Sequence, residues 1–173
     1  MVAFPTAQAV IERAIHERVF PGAVIEVGTT AGAVSQAAFG KLTYEAAATA
    51  SSVETVYDLA SLTKVVCTTA IAMRLVESGR LRLSDRLVQW LPQWRGPQRD
   101  AVTVRHLLAH SAGLAAWAPL FRTWSGRDEI QSAICRLPLD YSPGSAAVYS
   151  DLGFILLGFV LAEAGGAALD VQF

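Results

Sequence analysis

The sequence predicts an α+β fold in which one helix and two strands come first and further helices fill the rest. Three observations support this class. Apolar residues recur at helical spacing over Thr6–Arg18. Two short β-rich runs, Ala23–Val27 and Ala33–Phe39, flank a glycine-bounded loop that is typical of a hairpin. From Ser61 onward, helical patterns interrupted by glycine and proline replace the strand pattern.

Most of the predicted helices have a recognisable start or stop. Thr6 follows Pro5 and is a candidate N-cap for the first helix, which Phe20-Pro21-Gly22 ends. Gly79 suits the C-terminus of a helix that begins at Ser61. Val65, Thr69, Ala72 and Val76 can lie along one face of that helix. The other helices are expected over residues 86–91, 104–110, 129–136 and 152–164.

Composition limits the classes of protein to consider. The 173 residues are 53% hydrophobic and 17% charged, which predicts one globular domain over residues 1–173. The net charge of −1 gives no reason to expect a nucleic acid partner. The longest apolar run, Leu152–Ala162, is about half of the ~20 residues that a membrane span needs. The N-terminus has neither a basic nor an apolar signal region, so the sequence favours a cytoplasmic location.

Lys64 is one of only two lysines, and it follows Ser61 by three residues at the start of a predicted helix. Residues at this spacing share a helix face. Burial and the positive end of the helix both disfavour a charged ammonium, so a neutral Lys64 could accept the proton of Ser61. Ser61 would then attack a carbonyl. The alternative is structural: Ser61 caps the helix and Lys64 is solvated.

Three further sequence blocks accompany the Ser-x-x-Lys block at Val56–Val66. They are Phe20–Gly28 (FPGAVIEVG), Val104–Leu114 (VRHLLAHSAGL) and Pro143–Gly158 (PGSAAVYSDLGFILLG). In this order and spacing they resemble the serine β-lactamase and penicillin-binding protein superfamily. The sequence is most similar to its class C-like branch of β-lactamases, D-alanyl-D-alanine carboxypeptidases and carboxylesterases. The resemblance covers nearly the whole chain and implies a β-lactamase/transpeptidase-like fold.

The resemblance implies roles for three side chains. Ser61 is similar to the acylated nucleophile and Lys64 to its proton partner. Tyr149 matches the tyrosine of the Y-x-N element, which acts as base towards the serine and as acid towards the leaving group. A phenol beside an ammonium has a lowered pKa, which suits that role. The implied reaction transfers the acyl group of an ester, β-lactam or D-alanyl peptide to Ser61 and then to water, without a metal or organic cofactor.

Asp151 departs from the family pattern, which usually has asparagine there. An ionised aspartate only accepts hydrogen bonds, and its charge raises the pKa of Lys64 while holding that side chain in place. Asp151 is therefore a supporting or substrate-binding candidate, and the substitution weakens the case for β-lactam turnover more than for ester cleavage. Alternatively, Asp151 is the N-cap of the helix that begins near Leu152.

The second departure is the family's third motif, a strand with a K/H-T/S-G or W-x-G triad after the tyrosine. The sequence ends at Phe173, and Trp124-Ser125-Gly126 precedes Tyr149, so its match to W-x-G is a decoy. We therefore expect the C-terminal sheet strands to be missing and the chain to be a truncated form or fragment. The competing hypothesis is a catalytically impaired fragment, or a penicillin-fold binding protein that needs a partner chain to complete its sheet. An exposed strand edge could also allow self-association.

Other candidates carry weaker signals. His106 and His110 have the i, i+4 spacing of a zinc pair, but the glutamate of H-E-x-x-H and a third ligand are lacking, so no metal site is predicted. Cys67 and Cys135 are expected to be buried thiols. The four tryptophans could line a groove for acyl chains, although packing in the core or on the surface is the expected role; they are Trp90, Trp94, Trp117 and Trp124.

Overall fold

The computed structural model describes residues 4–173. The chain divides into two compact units, one that extends to Asp58 and one that begins at Leu59. The first unit contains a helix and a two-stranded sheet, and the second is helical. The predicted α+β class is confirmed.

The first unit is a helix followed by an antiparallel hairpin. Helix α1 spans Pro5–His16, and strands β1, Gly22–Thr29, and β2, Gly32–Gly40, pair with a register shift at Val27/Gly28. The hairpin prediction is confirmed, with strands longer than expected. Thr6 is not the N-cap, because the helix already begins at Pro5. The fixed φ and missing N–H of proline suit that first position.

The second unit packs its helices around one long central helix. The predicted helices are confirmed in kind, with changed ends. In chain order the elements are a π-helical segment at Lys64–Thr69, α2 at Ala70–Glu77, α3 at Leu87–Trp90, α4 at Val104–Leu108, α5 at Gly126–Arg136, α6 at Asp151–Gly165 and α7 at Leu169–Gln172. Short 3₁₀ turns occupy Arg99–Ala101 and Leu120–Arg122.

Helix α6 is the centre of this core. It contacts α2, α3, α4, α5 and α7, which explains why its sequence is apolar on nearly every face. Leu156, Leu157 and Val160 are each 0% exposed. Gly166 ends the helix at φ 70°, a conformation that favours glycine. No helix within residues 4–173 combines the length and apolar composition needed to cross a membrane.

The helix predicted from Ser61 differs from the observed one in its first turns. Residues Lys64–Thr69 are π-helical, and the Thr69 hydroxyl donates to the carbonyl of Lys64 at 2.8 Å. A threonine hydroxyl that bonds to the preceding turn competes with regular α-helical bonding. The buried residues of this stretch are Thr68, Ile71, Ala72 and Leu75, whereas Val65 is 67% exposed. The face that Val65 was expected to share with Thr69, Ala72 and Val76 is therefore not the buried one.

Candidate active site

Ser61 and Lys64 are in direct contact at the surface of the helical unit. Ser61 lies in the turn that leads into the π-helical segment, and the N–H of Lys64 donates to its carbonyl at 3.1 Å. The same spacing brings Lys64 Nζ to 3.0 Å from Ser61 Oγ, to which it donates. Ser61 Oγ therefore accepts a hydrogen bond from the lysine, and its own proton is free to point elsewhere.

Asp151 forms an ion pair with Lys64. The distance from Asp151 Oδ1 to Lys64 Nζ is 2.7 Å. Burial alone lowers the pKa of Lys64, but the bond to Asp151 and the negative charges around the ammonium outweigh it and raise the pKa. The expectation of a neutral lysine is therefore wrong for this arrangement, and Lys64 is an ammonium at neutral pH.

The Tyr149 side chain also lies beside Ser61 and Lys64, and its pKa is shifted in the opposite direction to that of Lys64. Hydrogen bonds from Ser61 and from Lys64 lower the pKa of its phenol, and the lysine charge adds to that effect. The ring centroid lies 5.1 Å from Lys64 Nζ. The predicted lowering of the phenol pKa is confirmed. The two candidate proton partners of Ser61 thus differ: Lys64 is charged, and the phenol of Tyr149 has a lowered pKa.

The backbone around Tyr149 is held by the segment that carries the histidine block. Val148 N–H donates to the carbonyl of His110 at 2.9 Å, and Asp151 N–H donates to that of Ala116 at 2.9 Å. Ser150 Oγ donates to the carbonyl of Ala115 at 2.6 Å and accepts from Gly153 N–H at 3.2 Å. Ser150 is therefore the N-cap of α6. The alternative that Asp151 caps this helix is wrong, and its carboxylate is available for Lys64.

His110 is the residue at this site that sequence reasoning did not assign to it. Its ring centroid lies 4.6 Å from that of Tyr149 and 4.8 Å from that of Phe154. Nδ1 accepts the N–H of Ser150 at 3.0 Å, so the proton of the neutral ring belongs on Nε2. Burial, and then the charge of Lys64, lower the pKa of His110, which keeps the ring neutral. The sequence block HSAGL begins with His110, but only the tertiary structure shows that this histidine contacts Tyr149 and Ser150.

Two of the four described non-glycine residues with positive φ belong to this site. Ala60, directly before Ser61, has φ 43°, and His110 has φ 54°. Non-glycine residues rarely adopt such angles, and they tend to occur where function fixes a side chain. Gly113, in the same segment as His110, has φ 88°, and an added Cβ would lie 2.5 Å from the carbonyl oxygen of Tyr141. Glycine is therefore required at that turn.

An open groove of about 590 Å³ begins at Ser61, and we name it the Ser61 groove. Its polar lining residues are Ser61, Thr63, Lys64, Thr68 and Asp151. The rest of its wall is apolar, and its large members are Trp117, Leu120, Phe121, Ile130, Leu152, Phe154 and Ile155. A concave apolar surface with a few converging polar groups is typical of small-molecule sites.

The remaining sequence candidates lie in other environments. His106 Nδ1 accepts the N–H of Thr103 at 3.1 Å, so this histidine also bonds to backbone. Within residues 4–173, no group of three or more metal-ligating side chains occurs. Trp94 is fully buried, whereas Trp124-Ser125-Gly126 leads into α5 and does not line the Ser61 groove. Both cysteines are free thiols; Cys135 is buried and Cys67 is half-buried.

Comparison with known proteins agrees with this fold. The chain is 30% identical over 171 residues to an N-acetylmuramyl-L-alanine amidase of Bacillus subtilis (strain 168), covering 88% of this chain and 39% of that protein. It is 31% identical to Esterase EstB of Burkholderia gladioli, covering 93% of this chain and 45% of the esterase. The chain thus spans less than half the length of these relatives.

A solved class C beta-lactamase from Rhodobacter sphaeroides shares the fold with a TM-score of 0.80 at 22% identity. The superposition covers 98% of this chain and 46% of that structure. The family model described as Beta-lactamase matches residues 7–173, and the β-lactamase/transpeptidase-like fold is confirmed. The chain therefore belongs to the beta-lactamase family.

Proposed function

We propose that this chain carries the acylation site of a serine hydrolase, with Ser61 as the nucleophile. One observation supports this above all: a charged lysine and a phenol of lowered pKa both reach the hydroxyl of Ser61. A serine hydroxyl is a weak nucleophile until an adjacent group takes its proton. Convergence of an acceptor and a cation on one exposed serine supplies that activation.

The proposed step moves one proton and exchanges one bond. As Ser61 Oγ attacks the carbonyl carbon, its proton passes to Tyr149, which reacts as the phenolate, and the π electron pair of the carbonyl moves onto the carbonyl oxygen. When the tetrahedral adduct collapses, the bond to the leaving oxygen or nitrogen breaks, and Tyr149 returns the proton to it. Lys64 stays an ammonium throughout and stabilises the phenolate form of Tyr149. Water then repeats the cycle on the acyl-enzyme. Positioned proton transfer of this kind contributes about 10²–10⁴ in rate.

Asp151 is proposed to act through Lys64 and not on the reacting carbonyl. It lies 2.7 Å from the ammonium and holds it charged, so the lysine does not compete with Tyr149 for the proton of Ser61. Ester cleavage is the least demanding reaction for such a site, because an alkoxide or phenolate is a better leaving group than an amine nitrogen. Ester cleavage is therefore the activity that we assign first, ahead of amide or β-lactam cleavage.

The test is hydrolysis of p-nitrophenyl butyrate by the purified chain, with Ser61→Ala, Tyr149→Phe and Ser84→Ala as variants. Ser84 is exposed and lies outside the Ser61 groove, so it is the matched control for removal of a serine hydroxyl. We expect activity in the wild type and in Ser84→Ala, and loss in the other two. Equal rates for wild type and Ser61→Ala, or no hydrolysis by a folded wild type, would overturn the proposal in favour of a non-catalytic binding role.

A further inference from the structure

The Ser61 groove differs along its length in a way that bears on the substrate. Four of its apolar members, Leu120, Ile130, Phe154 and Ile155, are half-buried and pack against the core, so that part of the wall is fixed. Leu152 is fully buried, and two members stand out from the surface: Trp117 is 56% exposed and Phe121 is 71% exposed. Large aromatic side chains exposed next to a reactive serine indicate a surface that a ligand covers.

The charges that line the groove cancel. Among the residues that line it, Lys64 and Asp151 carry charge, and they are paired at 2.7 Å. The guanidinium of Arg122 lies 5.9 Å from the centroid of the Phe121 ring and does not itself line the groove. Beyond Lys64 and Asp151 the wall offers aromatic and aliphatic surface, which an ionised carboxylate or ammonium would enter at a cost in desolvation. The lining therefore selects for an uncharged, apolar ligand group.

From this lining we infer that the Ser61 groove binds the acyl chain of the substrate, and that the preferred acyl group is a medium-length, uncharged alkanoyl or aryl-alkanoyl group. This inference rests on the proposed function, because the groove acts on catalysis only if Ser61 is the acylated atom. With the acyl carbonyl at Ser61 Oγ, the acyl chain would lie along Phe154 and Ile155 and extend towards Trp117 and Phe121. Substrates whose acyl part carries a charge would be poor.

The size of the preference follows from the openness of the groove. Complete burial of one methylene strengthens binding about fourfold. A chain in an open groove keeps roughly half of its surface in water, so about twofold per methylene is expected. An octanoyl group has four more methylenes than a butanoyl group, which predicts a preference of about tenfold to twentyfold in kcat/KM.

The experiment compares p-nitrophenyl butyrate with p-nitrophenyl octanoate on the wild type, on Trp117→Ala/Phe121→Ala and on Trp124→Ala. Trp124 is the matched control, since it is 38% exposed and does not line the groove. We expect the octanoate preference in the wild type and in Trp124→Ala, and its reduction to about threefold or less in the double variant. Equal kcat/KM for both esters, or a preference that survives in the double variant, would overturn the inference.

A binding series on Ser61→Ala separates this inference from the proposed function. Butanamide, octanamide and suberamic acid, which is octanamide ending in a carboxylate, are titrated by calorimetry. We expect octanamide to bind about tenfold more tightly than the other two. If no ester acylates the wild type, the proposed function fails, and this binding series alone tests whether the groove binds an apolar chain. Tighter binding of octanamide would support that part of the inference, and equal binding of all three amides would overturn it.

Discussion

Replacing Asp151 with asparagine would remove the negative charge that faces Lys64 while keeping the side-chain size and one hydrogen-bond acceptor. The two charged groups lie 2.7 Å apart, with side-chain exposures of 16% for Lys64 and 42% for Asp151. The pair is thus intermediate between a surface ion pair and a buried one. Because the aspartate raises the pKa of Lys64, the charged pair stabilises the folded state, and Asp151→Asn should destabilise it.

A fully hydrated ion pair and a fully buried one set the limits for the stability that Asp151→Asn should remove. Opposite charges about 4 Å apart attract by ~1 kcal/mol in bulk water. Removing one partner of a fully buried pair costs ~3–5 kcal/mol. Asp151 is well hydrated and asparagine still accepts a bond, so we expect a loss of about 1.5 kcal/mol in the free energy of unfolding. For a chain of this length that corresponds to a fall of about 3–6 °C in Tm.

The pH dependence has a defined sign. A group whose pKa is raised in the folded state stabilises it fully below the ordinary pKa, which is 10.5 for Lys64, and this stabilisation is lost at higher pH. The difference between wild type and Asp151→Asn should therefore be constant between about pH 7 and 9 and shrink when the lysine deprotonates. Urea unfolding followed by circular dichroism at pH 7.5 and pH 11 measures it.

The exposed loop residue Asp140 provides the control, as Asp140→Asn alters the net charge equally without touching Lys64. Equal urea midpoints for wild type and Asp151→Asn at pH 7.5 would refute the reasoning. So would a difference that persists unchanged after Lys64 has lost its proton.

Three further outcomes are expected. Tyr149→Phe should lower the rate of acylation by about 10²–10⁴, because the side chain can no longer take the proton of Ser61. Burst kinetics with a p-nitrophenyl ester measure this rate. An unchanged burst would exclude Tyr149 as the base. Lys64→Gln should raise the pKa of Tyr149, since the cation that lowers it is gone, and titration of the phenolate absorbance should show the shift to higher pH; a shift to lower pH would contradict the assigned charges. Leu156→Ala, at the fully buried centre of α6, should cost ~2–5 kcal/mol in the free energy of unfolding measured by urea, and a loss below about 1 kcal/mol would contradict its place in the core.

Local pattern was sufficient for much of the fold. The hairpin followed from two β-rich runs around glycine, and α6 followed from a continuous apolar segment closed by Gly165-Gly166. The contact between Ser61 and Lys64 was also predictable, since i and i+3 side chains meet in any helical turn. Each of these features depends on residues close together in sequence.

Features that depend on distant residues or on hydroxyl chemistry were not predictable in the same way. The bond from the Thr69 hydroxyl to the carbonyl of Lys64 accompanies a π-helical segment where regular α-helical turns were expected. Asp151 was equally suited to capping a helix and to pairing with a cation. Which of these roles Asp151 has depends on Ser150. Ser150 occupies the N-cap position of α6, and its hydroxyl donates a hydrogen bond to the carbonyl of Ala115 in a neighbouring chain segment. The tilted contact between the rings of His110 and Tyr149 likewise exists only in the folded unit.

Intact-protein mass spectrometry after a brief incubation with p-nitrophenyl butyrate tests the central claim, that Ser61 is the acylated atom. Wild-type protein should become heavier by one acyl group, with the modified peptide containing Ser61, and the Ser61→Ala variant should stay unmodified. A folded wild type that gains no acyl group, or an adduct that persists in Ser61→Ala, would contradict it.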